Sequence, residues 1–116
     1  MIILSIVRDL IFSSKLRAAA EGAGHQVVSV RALDQISLAA SNPEARIAVI
    51  DLGCTVFDPF AAIAQLQEIA PNIKLIAFYS HVEVELAAKA QAIPGLELYT
   101  RSQFTGELSQ IVARAV

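Results

Sequence analysis

The sequence predicts an α/β fold: five parallel strands in one sheet, with helices on both faces. Short apolar runs rich in β-branched residues recur along the chain. Between them the hydrophobic period switches to that of a helix. Each intervening stretch is about one helix long, which is what a crossover between parallel strands requires.

Residues 1–7 form the first strand, with Ile2, Ile3, Leu4, Ile6 and Val7 interrupted only by Ser5. From Asp9, a candidate N-cap, Phe12, Leu16, Ala19 or Ala20, and Ala23 recur at helical spacing. Lys15, Arg17 and Glu21 lie on the other face, and Gly22-Ala23-Gly24 is the expected stop. A second strand covers residues 25–30, and a weaker helix covers 34–40, ended by Ser41-Asn42-Pro43.

The third strand, residues 46–52, reads as buried on both faces and ends in Asp51, with Gly53 just beyond. A carboxylate there sits where open α/β sheets place their ligands. Asp58-Pro59 marks the next helix, an N-cap acid followed by proline at the first helical position. That helix runs through Ile63, Leu66 and Ile69 to Pro71-Asn72. Residues 73–79 form the fourth strand, and Ser80-x-x-Glu83 reads as a capping box. The helix behind it is expected to bury Val82, Leu86, Ala90 and Ile93 and to stop at Pro94-Gly95. Residues 96–100 form a fifth strand, and a last helix covers 104–115. Five strands wound in this way favour the flavodoxin-like order 2-1-3-4-5.

Composition narrows the function classes. The chain of 116 residues suits one domain, residues 1–116, with no output domain expected. A net charge of -2 and a pI of about 5.6 do not favour nucleic acid or an anionic membrane surface. The single cysteine, Cys54, permits no internal disulfide and no cysteine metal cluster. No run approaches a membrane span, and Met1–Val7 reaches Arg8-Asp9 too soon for a signal peptide. A cytoplasmic location is therefore expected.

Several binding classes lack their motifs. Val7-Arg8-Asp9-Leu10, after the first strand, is no Ser/Thr- and Gly-rich phosphate cradle of the flavodoxin kind. No G-x-G-x-x-G and no Walker loop is present, nor the Asp-x-His-x-x-Gly of a cobalamin-binding loop. His25 and His81 give no metal-ligand spacing, and Cys54 has no evident partner for catalysis.

Ala48-Val49-Ile50-Asp51, the Asp51–Asp58 loop, the strand over 74–80 and Leu98-Tyr99-Thr100-Arg101-Ser102 together resemble the receiver domain of bacterial two-component response regulators. The resemblance covers essentially the whole chain and implies that Asp51 stands at the phosphoacceptor position. It departs from the family pattern in ways that matter. The two acids expected after the first strand fall at about Val7 and Arg8, or at Arg8 and Asp9 with a shift of one. The Thr/Ser position holds Tyr79, with Ser80 next to it. Arg101-Ser102 replaces Lys-Pro, and Thr55 replaces the loop proline. The resemblance is therefore to an atypical, pseudo-receiver member.

The rim of the former phosphorylation site is expected to comprise Arg8, Asp9, Tyr79, Ser80 and Arg101 around Asp51. No cofactor and no metal site are expected, because Asp51 alone holds Mg²⁺ poorly and Arg8 would repel it. Weak Mg²⁺ binding would require both Asp9 and Asp51 to point into the site. Arg8 and Arg101 are instead expected to compensate Asp51 in an Arg–Asp–Arg cluster. The resemblance implies no enzymatic activity and a protein partner, a kinase or another regulator. Val82, Leu86, Leu98, Tyr99 and Phe104 are the expected signalling surface, and a homodimer is expected. Two alternatives stay open: a functional phosphorelay receiver phosphorylated on Asp51, and a module that binds small anions at the strand C-terminal rim.

Overall fold

The computed structural model describes residues 1–53 and 57–114; Cys54 and Thr55 lie outside the described residues. The elements follow as β1 (Ile2–Ile6), α1 (Leu10–Gly22), β2 (Gln26–Ser29), a 3-10 turn (Leu33–Gln35) leading into α2 (Ile36–Ala40), and β3 (Ala45–Asp51). Then come α3 (Pro59–Ile69), β4 (Lys74–Tyr79), α4 (Val84–Gln91), β5 (Leu96–Thr100), α5 (Arg101–Gly106) and α6 (Leu108–Arg114). The strands form one sheet in the order β2-β1-β3-β4-β5, parallel at every pairing. Both the fold class and the strand order expected from the sequence are found.

Alternation along the strands divides the apolar residues between two cores. One core packs Ile3, Val49, Ile76 and Phe78 of the sheet against Phe12 and Leu16 of α1, Phe104 of α5 and Ile111 of α6. The other packs Leu4, Ile50 and Ala77 against Ile36 of α2, Ile63 and Leu66 of α3, and Ala90 of α4. The first core is built round three phenylalanines. Phe12 and Phe78 stack with centroids 4.3 Å apart, and Phe104 lies 5.3 Å from Phe78 and 5.5 Å from Phe12. Among the described residues no helix is long and apolar enough to cross a membrane.

The helix signals mostly hold. Asp9 caps α1, accepting from the N–H groups of Ile11 and Phe12, and Asp58 caps α3, accepting from Phe60, with Pro59 at the first helical position. α1 ends at Gly22, and Gly24, with a φ of 85°, turns the chain so that the His25 N–H returns to the carbonyl of Ala20.

Three expectations are corrected. The helix after β4 starts at Val84, and Val82 is 72% exposed rather than buried. Ser80 and Glu83 form the backbone-to-carboxylate half of a capping box, yet they close a turn ahead of the helix. The last helix is two: α5 begins at Arg101, three residues early, and Glu107 separates it from α6. The cause is a capping box over Thr100-x-x-Gln103, in which Thr100 accepts from the Gln103 N–H and the Gln103 side chain accepts from the Thr100 N–H. Finally, Phe104 is fully buried in the α1-side core and is no part of an outer surface.

Candidate functional site

The C-terminal ends of β1, β3, β4 and β5 meet at one rim. Asp51 ends β3 and is 9% exposed, on a strand that is otherwise apolar except for Arg46. Its Oδ1 accepts the Gly53 N–H at 2.9 Å, a tight turn that folds the carboxylate back over its own backbone. Burial pushes the Asp51 carboxyl above its ordinary value. The Gly53 N–H and the field of Arg101 oppose this, while Glu83 and Asp9 reinforce it.

Glu83 belongs to this rim. A methyl group built on Gly53 would lie 3.3 Å from Asp51 Oδ1 and 3.3 Å from Glu83 Oε2, so the two carboxylates converge on the one residue without a side chain. The sequence signal was present as Ser80-x-x-Glu83, but it read as a cap alone. Glu83 Oε1 does accept the Ser80 N–H, at 2.9 Å.

Asp9 sits across the rim with its carboxylate fully engaged. Oδ1 takes the N–H groups of Ile11 and Phe12 at 2.9 and 3.2 Å, and Oδ2 pairs with the Arg101 guanidinium. The Phe12 N–H and Arg101, followed by Ile11, hold the Asp9 carboxyl below its ordinary value. Arg101 is the first residue of α5, fixed there by the Thr100 cap, and its guanidinium lies 5.6 Å from the Phe12 ring and 6.0 Å from that of Phe78. The expected Arg–Asp–Arg cluster centred on Asp51 is therefore shifted on this side. Arg101 gives its ion pair to Asp9 and acts on Asp51 through its field.

Arg8 lines a cleft between α1 and the end of β2, together with Arg17 and Arg31. Tyr79 is half-buried and packs with the core on the α3 side, while the register partner of Asp51 on β4 is Phe78. Strand alternation thus gives Asp51 a phenylalanine neighbour where Tyr79 was expected. Ser80 lines an open cleft of about 770 Å³ with His81, Thr100, Arg101, Ser102 and Thr105. Structure thus brings together Asp9, Asp51, Glu83 and Arg101. Among the described residues, no group of three or more His, Cys, Asp and Glu is arranged to hold a metal ion.

A five-stranded parallel sheet in this order is also the fold of response-regulator receiver domains. The chain is similar to the receiver domain of NtrX from Brucella abortus, with a TM-score of 0.78 and 15% identity over 99% of this chain and 97% of that one. It matches a longer NtrX chain from the same organism, in complex with ADP, at a TM-score of 0.78 and 17% identity over 98% of its own length, and spans only 26% of that chain. A response regulator receiver protein from Sinorhizobium medicae gives 0.70 and 18%, with 98% and 91% covered. At these identities the likeness is one of fold. No family model matches the chain, and the search of curated proteins finds no match.

Proposed function

We propose that the chain is a receiver-like signalling protein that acts through contacts with other proteins, with its Mg²⁺-dependent phosphorylation site degenerate. The observation that carries this reading is the commitment of Asp9. Both of its oxygens are taken, by two backbone N–H groups and by the Arg101 guanidinium. In a receiver the acids beside the phosphoacceptor hold the metal. Here Asp9, the acid that follows β1, already pairs with a permanent cation, and Arg8 precedes it in the chain. A divalent ion would have to displace Arg101 and then sit beside it. The ion pair of Asp9 with Arg101 therefore argues against Mg²⁺ at this rim.

The partner is a kinase or another regulator, or a second copy of the chain. The region of α4, β5 and α5 supports this, since Val82 and Val84 expose 72% and 69% of their surface beside half-buried Leu86, Leu98 and Tyr99. Light scattering across a concentration series tests the homodimer.

Incubation with acetyl phosphate and Mg²⁺, followed by intact mass measurement, tests the central reading. The expected result is an unmodified chain. A phosphoryl adduct that forms on the wild type and disappears in Asp51→Asn overturns it.

A further inference from the structure

A second cleft, of about 340 Å³, lies on the far side of α1 from Arg101, between that helix and the ends of β1 and β2. Three guanidinium-bearing residues line it: Arg8 from the β1–α1 loop, Arg17 from α1 and Arg31 just after β2. They are three of the chain's nine Lys and Arg residues. Ser13 and Ser14 of α1 and Ser29 of β2 add three hydroxyls, and none of the lining side chains is acidic. In a chain of net charge -2, this is a local concentration of positive charge, offset in part by Glu21, whose carboxylate lies 3.9 Å from Arg17 Nη1.

The walls are held in place. Arg17 Nη1 donates to the Val27 carbonyl at 3.3 Å, and the Arg31 N–H donates to Gln35 Oε1 at 2.8 Å. On β1, beside the cleft, is Ser5, 2% exposed, whose Oγ has no hydrogen-bond partner among the described residues. Ser5 is the register partner of Ser29, which lines the cleft, and shares a sheet face with Val7, which also lines it. A buried hydroxyl left unmade costs stability unless something else is gained. Ser5 does not itself line the cleft, but it is the strand neighbour of Ser29, which does.

We propose that this cleft is a binding site for a small phosphate monoester or inorganic phosphate. Guanidinium forks match phosphate oxygens in pairs, and more than one of them is needed to balance a dianion. Hydroxyls can donate to the remaining oxygens. The volume lies at the small end of ligand pockets, enough for a phosphoryl group and a short carbon skeleton. Recognition is non-covalent and needs neither Asp51 nor a metal, so the site is separate from the rim.

Calorimetric titration of the full chain with inorganic phosphate, and then with glycerol phosphate, tests this at low ionic strength. Saturable binding is expected, with amide shifts in a ¹⁵N spectrum confined to residues around Ser13, Ser29 and Arg31. Arg17→Gln and Arg31→Gln should each weaken binding about tenfold or more, as loss of a charge-assisted hydrogen bond implies. Glycerol phosphate binding more tightly than phosphate identifies a monoester as the ligand; equal affinity identifies the phosphoryl group alone. Asp51→Asn should bind as the wild type does, which separates this site from covalent phosphorylation. A linear, non-saturating titration overturns the proposal. So does binding that survives in Arg17→Gln and Arg31→Gln but is lost in Arg101→Gln, because the anion then sits at the rim. Melting curves of each variant establish that it is folded.

Discussion

Arg101 and Asp9 join the ends of two strands that are not neighbours: the cation follows β5, the acid follows β1, and β3 and β4 lie between. The pair therefore spans the rim on which Asp51 lies, with the Arg101 guanidinium over the Phe12 and Phe78 rings.

The bridge should set the acid limb of stability. The Asp9 carboxyl is held below its ordinary value of 3.8, so the native state favours its ionised form. That contribution is present above pH 3.8 and is lost as pH falls through the lower folded value. Urea melts in this acid range should show a steeper loss for the wild type than for Arg101→Gln, which retains the backbone donors but not the guanidinium. Identical slopes would show that the pair does not contribute.

Asp51 should behave in the opposite sense. Burial raises its carboxyl, so folding favours the protonated form. Its favourable contribution is complete below 3.8 and is lost as pH rises through the higher folded value. Asp51→Asn keeps an oxygen for the Gly53 N–H and removes the charge. A higher Tm than the wild type is expected at neutral pH, with the advantage shrinking as the pH falls through the raised folded value and gone below 3.8.

The phenylalanine cluster should dominate single-site stability. Phe78 is 1% exposed and stacks on both Phe12 and Phe104. Phe78→Ala should cost about 3–5 kcal/mol. For a domain of this size that lowers Tm by roughly 10–20 °C in scanning calorimetry. Phe78→Leu should lose much less, because more of the volume is kept.

The Thr100 cap should be worth about 1 kcal/mol, or roughly 4 °C in Tm. Thr100→Ser should restore most of what Thr100→Ala loses, since either hydroxyl can accept the Gln103 N–H. If Thr100→Ala also flattens the acid limb described for Asp9, the cap is what positions Arg101.

The fold was legible because its signals are periodic and local. Strand runs such as Ala48–Ile50 alternate with helical stripes such as Phe12-Leu16-Ala20, and each is read within a few residues. The caps at Asp9 and Asp58 were legible for the same reason. The Thr100-x-x-Gln103 box carried an equally local signal, and missing it placed the last helix three residues late. The rim was less legible because its contacts are long-range. Nothing in the sequence says that Arg101 reaches Asp9, ninety-two positions away, rather than Asp51. Nor does spacing say that Phe78, not Tyr79, stands opposite Asp51, because that depends on register to the residue. Glu83 was hidden by a true local role that accounted for it too soon.

Thr100 is both the last residue of β5 and the N-cap of α5, so no loop residue separates strand from helix. That corner has no slack. If Arg101 leaves Asp9, its side-chain torsions can absorb a small displacement, but a larger one must tilt α5 as a rigid lever. Phe104, on the next turn of that lever, would be drawn against Phe12 and Phe78. A change at the rim is therefore geared directly to the packing of the sheet's α1 side, with the first turn of α5 as the transmission.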